Sequence, residues 1–121
     1  MKKPEIILVI AASLDSRIAL PNGGACHIGT ELDRKLLDKS ISQVDATIFG
    51  SGTLKAHQNT YLIKEKNFFG NNKKISDHQP ISIVVGNSIN FSENWNYFKQ
   101  PIVRWLITSN KKTQSSKVTF D

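Results

Sequence analysis

The chain has one cysteine, Cys26, so it can close no intramolecular disulfide and offers no cluster of thiolates for zinc. Both absences fit a reducing, cytoplasmic setting. Long apolar runs are also missing. The longest, IILVIAA at 6–12, falls well short of the roughly 20 residues that span a bilayer. Glu5 and the β-branched residues of that run argue against a secretory leader, so no membrane partner is expected. Arginine is scarce as well: only Arg17, Arg34 and Arg104 stand among the 16 basic residues. The net charge of +6 therefore rests on lysines, which lack the planar fork that reads bases and phosphates. Those lysines are scattered instead of forming a stripe interleaved with aromatics, which favours solvated surface charge over a nucleic-acid footprint.

What is present suits one domain. At 121 residues, 39% hydrophobic and 21% charged, the chain can bury a core of ordinary size. Residues 1–121 are read as a single domain, with a surface loop over 64–79 and a polar tail over 110–121. The run at 6–12 has no polar alternation, which predicts a central strand covered on both faces. Pro21, Gly23 and Gly24 then mark a loop with a tight reversal. Thr30 is a helix N-cap candidate, with Glu31 and Asp33 where negative charge complements the helix dipole. Leu32, Leu36, Leu37, Ile41 and Val44 recur at helical spacing and predict an amphipathic helix with one face on a sheet. Arg34 and Asp38 could pair along its surface. A second strand is predicted at 46–49, running into the turn Gly50-Ser51-Gly52-Thr53. The order strand, helix, strand implies a parallel pair with a crossover. Two further strands are predicted, at 81–85 and 102–108, with the aromatics Phe91, Trp95, Tyr97 and Phe98 between them as core plugs.

In an open α/β sheet, ligands collect beyond the carboxyl ends of parallel strands. Two such ends stand out, the loop at 13–30 and the turn at 50–53. Gly50-x-Gly52 fits an ordinary tight turn as well as a nucleotide site, since the third glycine of a dinucleotide fingerprint is missing and no phosphate-loop lysine follows. His27, His57 and His78 match no metal spacing, and a lone loop histidine is more often structural than catalytic. Asp15 and Arg17 read most simply as an exposed pair in a turn, and Cys26 as a packed thiol.

Together these pieces are more specific than each alone. Ser13-Leu14-Asp15-Ser16-Arg17-Ile18-Ala19, then His27-Ile28-Gly29-Thr30, then Asp45-Ala46 leading to Gly50-Ser51-Gly52-Thr53 resembles the carboxy-terminal reductase domain of bacterial riboflavin-biosynthesis enzymes. The blocks occur in the same order and with similar gaps. The resemblance implies an α/β, dihydrofolate-reductase-like fold with a mixed, mainly parallel sheet and flanking helices. It also implies NADPH-dependent reduction of the ribosyl group of 5-amino-6-(5-phosphoribosylamino)uracil. Carried over residue by residue, it assigns Ala12, Ser13, Gly29, Thr30, Gly50, Gly52 and Thr53 to the cofactor, and Asp15, His27 and Arg34 to the substrate.

Three departures accompany it. His57 stands where the family commonly has an acidic proton donor, so His57 is the catalytic candidate. Ile41 stands where the family has an arginine. A downstream glycine-rich segment of the family has no counterpart before Asp121, so the expectation is an incomplete sheet that works as a homodimer or with a complementing chain. The alternative is an inactive, truncated homologue that binds nucleotide weakly or acts only through a partner.

Overall fold

The computed structural model describes residues 2–25, 27–64, 79–87, 90–109 and 119–121. Cys26, His78 and nearly all of the predicted loop at 64–79 lie outside that set.

Helix α1 spans Glu31–Ile41 and begins as the sequence predicts. The Thr30 hydroxyl accepts a hydrogen bond from the Asp33 amide at 3.2 Å, and Glu31 and Asp33 occupy the first turn. The helix stops at Ile41, so Val44 falls in the turn that follows, where its amide donates to the Ile41 carbonyl. Strand β1 (Ala46–Gly50) leads directly into helix α2 (Ser51–His57), and strands β2 (Ile81–Val85) and β3 (Arg104–Ile107) follow. The predicted turn at 50–53 is thus the entry to a helix: Gly50 is its N-cap, and Ser51, Gly52 and Thr53 form its first turn.

The three strands form one sheet in the order β1-β2-β3, all parallel. Ile48 faces Ile83, which faces Trp105, and Phe49, Val84 and Leu106 align on the opposite face. Leu54, Val84 and Tyr97 form the buried core on that second face, with Phe49, Phe91, Trp95, Phe98, Ile102 and Leu106 packed around them. The aromatic segment is therefore a core plug, as expected. Tyr97 is wholly buried and shares a 3.1 Å hydrogen bond with Ser82. Part of the predicted polar tail is also structured: the Phe120 ring packs 5.7 Å from Phe98. Beside it, the Asp121 amide donates to the Arg104 carbonyl and its carboxylate accepts from the Arg104 amide.

Two further expectations fail. The run at 6–12 joins no ladder among the described residues, and Ile6, Leu8 and Ile10 are 85%, 80% and 57% exposed. It is neither a strand nor buried, because a strand exists only when a neighbour completes its hydrogen bonds. The crossover that forms runs instead from β1 through α2 to β2. The second failure concerns α1, which does not lay its stripe on the sheet. Leu37 and Ile41 pack on Tyr61 and Ile63, while Leu32 and Leu36 remain exposed. The sheet's other face is likewise uncovered at Ile48, Val103, Trp105 and Ile107.

Candidate active site

The loop that precedes α1 folds through short-range contacts. Ser13 donates to Asp15 at 2.5 Å, Arg17 reaches the other Asp15 oxygen at 3.0 Å, and the Ser13 amide donates to the Arg17 carbonyl at 2.9 Å. The Ser13 hydroxyl, and Arg17 after it, hold the Asp15 carboxyl below the usual range. This is the exposed turn with a charge pair that the residue types suggested. The reversal at 21–24 forms too, with Gly23 at φ +75 and the Asn22 side chain accepting from the Gly24 amide. Ala12, Ser13 and Asp15 stay on this exposed loop.

Among the described residues, His27 brings the loop to α2. Its ring stands edge-on to that of His57, centroids 6.4 Å apart. His57 closes α2, and Gln58 turns the chain away at φ +57 with its amide bonded to the Leu54 carbonyl. The substrate candidate His27 and the catalytic candidate His57 are thus brought together, although 30 positions separate them in sequence. Arg34 is exposed on α1 and does not pair with Asp38, which is buried; the ion pair of that helix is Glu31 with Lys35 at 3.6 Å.

A cavity of about 560 Å3 opens between α1, β1, α2 and the segment 59–64. Its floor is apolar, from Leu37, Ile41 and Phe49, and Thr53 and His57 enter it from α2. No motif or periodicity singles out the opposite wall, which Asn59, Thr60, Tyr61 and Lys64 provide. That wall is fixed by two side chains. Gln100 accepts from the Thr60 amide at 2.9 Å and donates to its carbonyl at 2.8 Å, and Gln79 does the same to Ile63 with both bonds at 3.0 Å. A glutamine amide carries the same donor and acceptor as a peptide group, so each one acts as a single rung of sheet. Neither clasp could be read from local sequence.

The glycines gather at the strand ends. Gly50 ends β1 beside Val85, and Gly86 follows the end of β2. A methyl group on Gly86 would collide with the Ser51 side chain, whereas one on Gly52 would meet nothing within 4 Å, and one on Gly50 only the Val85 carbonyl at 4.0 Å. Gly86 is needed for packing; Gly52 leaves open space. Gly86 had a signal in the sequence, since the apolar runs ATIF and ISIVV are each followed directly by glycine. Gly29 and Thr30 lie at the start of α1, where the Thr30 hydroxyl is engaged as the cap. Among the described residues, no group of three or more His, Cys, Asp or Glu could hold a metal, and no helix is long and apolar enough to cross a membrane.

The model of the RibD C-terminal domain matches residues 4–120. The chain belongs to the RibD C-terminal domain family. Its three parallel strands and flanking helices fit the α/β, dihydrofolate-reductase-like fold of that domain. A similar curated protein is the riboflavin biosynthesis protein RibD of Buchnera aphidicola subsp. Baizongia pistaciae, 28% identical over 110 residues. The match covers 86% of this chain and 30% of the relative, so the chain spans under a third of that protein's length. The match to the RibD C-terminal domain takes in the loop, α1, the cavity and the glycine ledge alike.

Proposed function

We propose that the chain is a reductase domain of riboflavin biosynthesis, reducing the ribosyl group of 5-amino-6-(5-phosphoribosylamino)uracil to ribityl with NADPH. The observation that carries this reading is the juxtaposition of an open ledge at parallel strand ends with a cavity into which Thr53 and His57 project. The residues fit a nicotinamide cofactor: the space over Gly52 is clear and the Gly50 backbone is exposed, so a flat ligand can approach the strand ends closely. When bound, NADPH supplies a hydride to the first carbon of the sugar.

The chain's own residues orient the substrate and move a proton. Leu37, Ile41 and Phe49 give an apolar surface for the pyrimidine. In this reading His57, which lines the cavity, gives a proton to the ring oxygen as that oxygen parts from the first carbon. His27 stands edge-on to His57, outside the cavity lining, and in this reading holds that ring in place.

The test is an assay of NADPH oxidation with the phosphoribosylaminopyrimidine, paired with NADPH titration and thermal melts. Saturable binding, a raised melting temperature and turnover that falls about 100-fold in His57→Ala support the reading. Folded protein with neither binding nor turnover overturns it. A second reading is favoured by one observation, the uncovered apolar face of the sheet: the chain acts through association, as a homodimer or with a complementing polypeptide. Sedimentation of the folded chain as a monomer at micromolar concentration would remove the homodimer.

A further inference from the structure

Asp38 is the most anomalous group among the described residues. Its carboxylate is 1% exposed, and neither oxygen has a hydrogen-bond partner among those residues. Buried carboxylates are costly without a donor, so the surroundings of this one are informative. Side chains on a helix lean toward its N-terminus, which carries Asp38 over the turn that contains Arg34. The Tyr61 hydroxyl reaches the same turn, where its acceptor is the Arg34 carbonyl at 3.4 Å. That bond is long for an O–H donor, and the Arg34 carbonyl is one that the α-helical pattern already pairs with the Asp38 amide. Tyr61 is also a wall of the cavity, on the segment that Gln100 and Gln79 hold in place.

We propose that Asp38 is a positioning residue for the cavity: its carboxylate takes the hydrogen bond of the Tyr61 hydroxyl and locks that ring against α1. With its proton directed inward, the phenol oxygen turns its lone pairs to the cavity as an acceptor. The ligand group that meets it is then an N–H or O–H donor. The proposal deepens the reductase reading by naming the polarity of one wall, and its first test needs neither cofactor nor turnover. The electrostatics agree with the geometry. Burial first, and the Asp38 carboxylate second, push the Tyr61 phenol up to about 12.

The chain has two tyrosines, Tyr61 and Tyr97, so phenolate absorbance can be resolved, with Tyr61→Phe identifying the Tyr61 transition. In Asp38→Asn, the Tyr61 midpoint is expected to fall by at least one pH unit, a tenfold change in its ionisation constant. An unchanged midpoint would show that burial alone governs Tyr61, and would overturn the proposal. Should Asp38→Asn fail to fold, Asp38→Leu, Tyr61→Phe and their double variant provide a second measurement. Tyr61→Phe is expected to lower stability in the parent and to have no effect in the Asp38→Leu background. Equal losses in both backgrounds would likewise overturn the proposal. Failure of the reductase reading would appear separately, as absent turnover with the Tyr61 midpoint still dependent on Asp38.

Discussion

Gln100 and Thr60 exchange two hydrogen bonds across 40 residues of sequence, one in each direction between a side-chain amide and a backbone peptide. Gln100 is 9% exposed and its backbone carbonyl accepts from the Arg104 guanidinium. This contact ties the cavity wall to the approach to β3. Replacing Gln100 with Leu leaves a partly buried amide and carbonyl of Thr60 without partners, at a cost of about 2–4 kcal/mol. Gln79→Leu should cost less, because Gln79 is only half-buried. Urea unfolding of the two variants checks the order.

The glycines separate packing from ligand approach. A methyl group at Gly86 drives into Ser51, while Gly52 has open space around it and lies inside α2. Gly86→Ala is expected to destabilise by about 1–3 kcal/mol. Gly52→Ala should be stabilising by up to about 1 kcal/mol through helix propensity, yet weaken NADPH binding about tenfold. Melts and cofactor titrations on both variants would show the split. Equal behaviour would remove the assignment of Gly52 to the cofactor.

Stability should fall in strong alkali. Tyr61 is pushed up to about 12 and burial raises Tyr97 as well. Both phenols keep their protons in the folded chain after the unfolded chain has begun to lose them near pH 10. Each contribution is complete below about pH 10 and is lost as pH rises through the folded value. Unfolding midpoints in urea between pH 9 and pH 12 should therefore decline, and less steeply in Tyr61→Phe.

The exposed sheet face is where the proposed association can be tested. Trp105 is 46% exposed on the face that Ile48 and Ile107 share. Trp105→Thr keeps a residue suited to a strand while removing a large apolar surface. Light scattering against concentration should show weaker association with the melting temperature nearly unchanged.

Features that depend on neighbours a few residues away were legible in the chain of letters. The Thr30 cap, the start of α1, the reversal at Gly23 and the cores of β1, β2 and β3 belong here, because caps, turns and short β-branched runs carry their cause locally. Much of the candidate site was legible only as a set of residues. His27, His57, Gly52 and Thr53 could be named, but not the meeting of the two histidines or the wall built from Tyr61 and Lys64. The clasps of Gln79 and Gln100 had no signal at all, since a glutamine side chain bonds whatever peptide the fold brings to it.

Long-range packing set the fates of Asp38 and of the run at 6–12. Asp38 reads as a surface charge at i,i+4 from Arg34, yet it is 1% exposed, on the helix turn that the Tyr61 hydroxyl reaches. The run at 6–12 reads as the centre of a sheet, yet nothing among the described residues pairs with it. A helix satisfies its backbone from within, whereas a strand borrows every hydrogen bond from a neighbour. Composition alone can therefore promise a strand, and only the arrangement of the whole chain supplies its partner.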